Sequence, residues 1–392
     1  MDFSGAAAIL LVSCAVFLPG CAPTSWDPVL GEVRWVVPSA GLPLETSPLA
    51  SNNNVSIALH NDFLYMAWRS APSHFASAES RMYMASSADL GQTWHYEATW
   101  QLGADVREPL LYVVDDTLHF QMFEGGTNPL AFEPLHTWRT QRDEGGQWQE
   151  LESWGDEGQV PWEVIVREGG AWLTSYVGEH YNLDAGPEAL DLRLSYSSDG
   201  LNWEPTTVYT GGASEAAFQF DSDGALWAVL RNEDGDNSGF GSLLCTAPTE
   251  EPTSWTCPTE SNPERYDSPR MFVHEEQLWL VARRDLGGPY DQGLSELDFE
   301  DQRRTYLLDY SSRPKRTALY RIDTANHEVV HVLDLPSAGD TAFPSVVKLS
   351  NHRFLIANYS SPFEDPDRTW LAGQVAEDGT GIYFIELNFE PQ

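Results

Sequence analysis

Short runs of alternating apolar and polar residues return along this chain at a nearly fixed step. They read FLYMAWR (63–69), TLHFQMF (117–123), GAWLTSY (170–176), ALWAVLR (225–231), QLWLVAR (277–283) and RFLIANY (353–359). Their third residues, Tyr65, His119, Trp172, Trp227, Trp279 and Leu355, lie 54, 53, 55, 52 and 76 positions apart. A second series, Trp94, Trp148, Trp203 and Trp255, keeps the same step at 54, 55 and 52. Alternation with period two is the signature of half-buried strands, and Gly, Pro, Asn and Asp punctuate the runs, so no helix is predicted. A unit of this length holding several short strands predicts one four-stranded blade of a β-propeller. Six units, the last lengthened by about 22 residues, fill the chain from residue 32 to 392, and one all-β domain accounts for it. The strand Val33–Val37 is expected to close the ring against Ile382–Leu387.

With 42% hydrophobic and 12% aromatic residues among 392, the chain must bury a large core, which excludes a disordered protein. Acidic residues outnumber basic ones 59 to 22, for a formal charge of -37. Nucleic acid and anionic lipid surfaces would be repelled and are excluded as partners. Lys315 and Lys348 are the only lysines, a balance suited to a salty medium in which self-repulsion is screened.

Residues 1–20, MDFSGAAAILLVSCAVFLPG, hold an apolar stretch shorter than the ~20 residues that span a bilayer, and read as a signal peptide. The junction Leu18-Pro19-Gly20-Cys21 resembles the lipobox of bacterial lipoproteins. That resemblance implies lipidation at Cys21, a tether over 21–31, and a monomer anchored by lipid alone to the outer membrane or cell surface. A periplasmic or secreted form is the alternative. In an exported protein Cys245 and Cys257 are expected to pair across the Pro-rich loop Thr246–Thr256.

Around the tryptophans of the second series stand Ser87-Ala88-Asp89-Leu90-Gly91-Gln92-Thr93-Trp94 and Ser197-Ser198-Asp199-Gly200-Leu201-Asn202-Trp203, with degenerate forms ending at Trp148 and Trp255. The first resembles the Asp box of sialidases, S-x-D-x-G-x-T-W. The Asp can cap turn amides, Gly permits positive φ, and Trp covers the hairpin base. The resemblance implies a six-bladed, sialidase-like propeller.

In a propeller the innermost strand of each blade lines the axis, so the residues opening each repeat converge. Here the openings carry Arg107, Glu108, Glu163, Glu215 and Arg270. Glu108, Glu163 and Glu215 are the candidate acid/base or nucleophilic groups. The segment Ser214–Arg231 is similar to the sialidase segment that supplies a Glu to polarise a tyrosine nucleophile and an Arg to clamp a carboxylate, roles that fall on Glu215 and Arg231. Arg270, Arg107, Arg283 and Arg69 complete the candidate substrate clamps, since a guanidinium pairs a carboxylate through two parallel hydrogen bonds. Other family positions differ: Asn54-Val55-Ser56-Ile57 holds no arginine, the loop after Arg69 offers His74 and Glu79 instead of an Asp, and Phe343 stands where the tyrosine belongs. Tyr176, Tyr266, Tyr290 and Tyr359 are substitute nucleophiles or sugar-stacking groups. The insertion Asp285–Tyr306 is expected to form a lip beside the pocket.

No cofactor is expected and no residue is assigned as a metal ligand. His327-Glu328-Val329-Val330-His331 fits H-E-x-x-H, but its context reads as a hairpin, where strand geometry separates the histidines by about 13 Å, too far for one zinc. Asp234–Gly239 resembles half of a calcium loop, with Cys245 where its bidentate Glu belongs, so calcium has no complete ligand set. The sequence therefore points to an exported propeller that hydrolyses glycosides, with a non-catalytic glycan-binding or scaffolding propeller as the alternative.

Overall fold

A computed structural model describes residues 25–167, 169–180 and 189–392. The expected signal peptide, Cys21 and the next three residues of the expected tether lie outside the described residues. Six antiparallel sheets follow one another in chain order. The first blade is Ser51–His60, Phe63–Ala71, Arg81–Ser87 and His95–Trp100; the second is Asp105–Val114, Thr117–Gly125, Pro134–Gln141 and Glu152–Trp154. The third is Val160–Arg167, Gly170–Gly178, Leu190–Ser197 and Glu204–Gly211, and the fifth is Asp267–His274, Gln277–Asp285, Lys315–Asp323 and Glu328–Leu335. Every repeat run is the second strand of its blade, and every repeat opening is at or beside the start of the first.

The fourth blade has three strands, Ala216–Phe220, Leu226–Leu230 and Leu243–Ala247. Where a fourth would lie, the Pro-rich loop is held by a Thr246–Thr256 bridge and by a Cys245–Cys257 disulfide with a Cα–Cα distance of 4.2 Å. The sixth blade combines Ser345–Ser350, Arg353–Ser360 and Gly381–Pro391 with two segments from the other end of the chain. Arg34–Val37 pairs with the Ile382–Phe384 stretch, as expected, and Trp26–Leu30 pairs with Leu387–Pro391. Residues 26–30 thus belong to the ring and not to a tether: Pro391 and Leu387 need a neighbour for their exposed edge, and the amino-terminal segment supplies it.

The Asp boxes are turns. Asp89 Oδ1 accepts from the amides of Gln92 and Thr93 at 2.9 Å, and Gly91 takes φ +84. Trp94 is buried against Phe384. Asp199 accepts in the same way from Leu201 and Asn202. In the calcium-like loop Asp236 accepts from Ser238 N and the Tyr209 hydroxyl, and Asp234 bonds His180 of blade three.

Two connections contain helices that the apolar pattern did not predict. Phe299–Ser311 lies between the second and third strands of blade five, capped by Asp298, which accepts from Asp301 N. Its buried face is Arg303, Tyr306 and Tyr310, spaced three and four apart, so its helical period is carried by polar and aromatic groups and escapes a search for aliphatic residues. Trp370–Val375, in blade six, packs beside it: Trp370 N donates to Arg313 O at 3.0 Å. His327–His331 opens a hairpin strand, as its context predicted.

Candidate functional site

At the axis the inner strands are irregular in a repeated way. Their pairing slips between Asn53 and Val55, Arg107 and Leu110, Pro161 and Glu163, and Asp267 and Arg270. At these bulges Asn54, Glu108 and Ser268 take left-handed φ of 44, 49 and 48, and Ala342 takes 73 in blade six. Such backbone costs on the order of 1–3 kcal/mol per non-glycine residue and persists where surrounding structure imposes it. All four residues, with Glu215 from blade four, line one cavity of about 470 Å³.

A second ring comes from the next strands. Four positions beyond each repeat marker stand Arg69, Phe123, Tyr176, Arg231, Arg283 and Tyr359, and all but Arg69 line the cavity. The walls above are built by Phe132 and Leu130 from blade two, and by Leu307, Ser311, Trp370 and Leu371 from the two helices. The expected lip is therefore present, extended to residue 314 and joined by the segment around Trp370.

The floor is closed. Trp162 is 1% exposed and meets Phe343 edge to face at 5.3 Å. The Arg270 guanidinium lies over both rings and donates to Trp162 O. Arg270 is thus part of the plug and not a cavity clamp, because the Trp162 bulge turns that ring across the axis. Glu163 is also away from the cavity: it accepts from Phe218 N at 2.9 Å and Met271 N at 3.3 Å, tying blade three to blades four and five. Arg69 is fully buried, donating to Asp105 and to the carbonyls of Ser73 and Phe75, so it anchors a loop. Tyr266 and Tyr290 are buried off the cavity, whereas Tyr176 and Tyr359 reach it.

Glu108, Glu215, Arg107, Arg231 and Arg283 remain on the cavity. Glu108 accepts from Asn54 Nδ2 at 2.8 Å, and burial, reinforced by the neighbouring Glu215 charge, pushes its carboxyl up to about 7. Glu215 is also raised by burial, against the pull of Arg231 at 2.6 Å, and accepts from Ser268 N at 2.7 Å.

Beside Glu215 runs an ion-pair network that the sequence reading missed. Arg231 pairs with Glu215 and Glu233, Arg265 with Glu233 and Asp267, and Arg283 with Asp267 at 3.0 Å. His180 bonds Asp234 at 2.7 Å, and Tyr310 donates to Asp267 at 2.6 Å. Burial opposes ionisation of Asp267, but the three arginines outweigh it and hold the carboxyl below its usual range. Each guanidinium in this wall therefore already faces a carboxylate, unlike a clamp kept open for a substrate carboxylate.

A third group, with His74 and Tyr359 on the same cavity, adjoins the network at Arg283. His74 Nδ1 lies 2.8 Å from Asp340, which also accepts from the Tyr359 hydroxyl at 2.9 Å. Burial keeps the His74 imidazole neutral to lower pH than usual, despite Asp340. Burial would raise Asp340, but His74 and Arg283 outweigh it, so the carboxylate is ionised and Nδ1 carries the proton. Nε2 is left as the ring's acceptor. Burial, then Asp340, push the Tyr359 phenol well above its ordinary range, which excludes a ready phenolate nucleophile. The cue for Tyr359 and Tyr176 was the fourth position after each marker; Asp340 had none, because its partner lies 266 residues away.

No family model matches the chain, and no curated protein matches it significantly. Solved structures do match. A Dyadobacter fermentans protein of unknown function shares 15% identity over 87% of this chain and 95% of its own, with TM-score 0.59. The endosialidase of phage phi92 shares 11% over 91% and 69%, also at 0.59. The fold is the sialidase-like six-bladed propeller. An alpha-L-arabinofuranosidase from Fusarium graminearum also shares it, at 11% identity, 87% and 95% coverage and TM-score 0.56.

Proposed function

We propose that this sialidase-like propeller is a glycoside hydrolase acting on an uncharged glycan in its axial cavity. The observation that carries the reading is the pair Glu108 and Glu215, two buried carboxyls on one cavity, both raised by burial, with the Glu215 charge adding to the rise at Glu108. A proton donor to a glycosidic oxygen must hold its proton near neutrality, and Glu108 does so at about 7. Glu215, fixed by Arg231 and the Ser268 amide, is the partner that would face the developing positive charge at the anomeric carbon. The structural relatives whose names state sialidase or arabinofuranosidase activity support a glycan as substrate. The balanced arginine network favours a neutral sugar over a sialic acid, and Leu130, Leu371 and Trp370 offer apolar surface for sugar faces.

Hydrolysis of a panel of aryl glycosides, including arabinosides, sialosides and uronides, tests this. Turnover on a neutral glycoside, falling at least a hundredfold in Glu108→Gln and Glu215→Gln, is the expected result. No turnover, with glycan-array binding retained by wild type and both variants, would instead establish the binding-module reading, which the closed floor of Trp162 against Phe343 favours. We further propose export as a monomeric lipoprotein anchored through Cys21; mass spectrometry of the membrane-extracted protein would find a diacylglyceryl-cysteine at its amino terminus, and an unmodified or uncleaved terminus would refute it.

A further inference from the structure

The inner strand of blade five starts at Asp267, puts Ser268 on the cavity and ends at His274, six residues beyond Ser268. At about 3.3 Å per residue, its far end is roughly 20 Å away, on the opposite face of the ring. There the tip of the blade-five hairpin meets the tip of the blade-six hairpin. His274 Nε2 lies 2.9 Å from His352 Nδ1, and His352 Nδ1 lies 3.6 Å from Glu275 Oε1. The ligand atoms of the three residues all fall within 4.8 Å of one another.

We propose that His274, His352 and Glu275 form a binding site for a divalent transition metal of the zinc class. A tetrahedral zinc with bonds of about 2.0–2.1 Å to nitrogen and oxygen sets its ligand atoms about 3.3 Å apart. These two separations bracket that value and the third lies within 4.8 Å, so side-chain adjustment, chiefly of the exposed Glu275, completes three corners of the tetrahedron. Two imidazoles and a carboxylate are also the donor set that selects zinc, cobalt or nickel over calcium and magnesium. The fourth position faces an open cavity of about 680 Å³, where water would complete the coordination.

Both rings are held in place. His274 is 1% exposed and stacks on Phe389 at 3.8 Å, and His352 stacks on Trp26 at 4.1 Å. His352 O also accepts from Phe389 N at 2.9 Å. Trp26 belongs to the amino-terminal strand that completes blade six, so a bound ion would join blade five, blade six and the closing strand at one point. The chain's charge of -37 supplies a field that concentrates cations. The role that follows is a clasp on ring closure, independent of the axial cavity.

Calorimetric titration of chelator-stripped full-length protein with zinc chloride should give one ion per chain at micromolar or lower Kd. Cobalt substitution should give the intense visible bands of a tetrahedral site. His352→Ala and Glu275→Gln change partly or fully exposed side chains and leave the core intact; each should weaken zinc at least tenfold and abolish the zinc-induced rise in melting temperature. No stoichiometric binding up to millimolar zinc, or binding unchanged in both variants, would overturn the proposal. Glycoside hydrolysis should be indifferent to chelation, which keeps this test separate from that of the cavity.

Discussion

Glu108 combines a bulge, a left-handed φ and burial in one residue, and each has a measurable consequence. Its folded carboxyl titrates near 7, above the ordinary 4.5, so the folded state holds a proton that the unfolded chain releases. Stability from this group is present below about 4.5 and is lost as pH rises through about 7, by on the order of 3 kcal/mol. Chemical denaturation should therefore show Glu108→Gln gaining on wild type between pH 5 and 8, while losing hydrolysis. Asp340→Asn exchanges the acceptor of His74 Nδ1 for one that also satisfies Tyr359 poorly; if His74 serves the reaction, the pH profile of kcat should shift while KM changes little. At Glu233, fully buried between Arg231 and Arg265, substitution by Gln leaves guanidinium charge uncompensated and should cost about 3–5 kcal/mol in equilibrium unfolding. Of these residues, Glu108 and Glu215 were legible because charge in an inner-strand opening is out of place. Glu163 and Arg270 carried the same signal and proved structural, since the Trp162 bulge turns one ring into the axis and leaves both beneath the floor.

Among the elements, the second strands were the most legible, because both their faces are buried between neighbouring blades and each reads as a short, largely apolar run recurring once per blade. The Asp boxes were equally clear, since cap, glycine and tryptophan each have a fixed task within eight residues. The helix Phe299–Ser311 was not, as its buried face is Arg303, Tyr306 and Tyr310, which satisfies ions and aromatic rings of the cavity wall in place of an aliphatic core. The missing outer strand of blade four is replaced by a covalent link closing a short loop, with Cys245 and Cys257 separated by 12 residues. Closing a loop of that size is worth about 3 kcal/mol. Reduction, or the Cys245→Ser/Cys257→Ser pair, should lower the melting temperature, and proteolysis should then cut first within 248–256.

For the whole ring, closure and charge decide stability. Trp26–Leu30 and Arg34–Val37 both pair with Gly381–Pro391, so deleting residues 25–37 would expose a long strand edge and should yield an aggregating protein with a broad, low-temperature transition. A chain at -37 with two lysines repels itself, and salt screens that repulsion. The melting temperature should rise with sodium chloride between 0.01 and 1 M; a flat response would mean that the ion pairs already balance the field.

The repeat period, the alternating strands, the Asp boxes and the cysteine spacing by themselves determined a six-unit all-β ring with a local disulfide, because each of those signals acts over a few residues and recurs. Only the tertiary structure decided which charges meet. The Glu108–Glu215 pair, the His74–Asp340 contact, the Arg231–Glu233–Arg265–Asp267 network and the His274–His352 pair join residues of different blades or distant segments. Their geometry depends on how inner strands bulge and how blades are angled around the axis, and no local pattern encodes either.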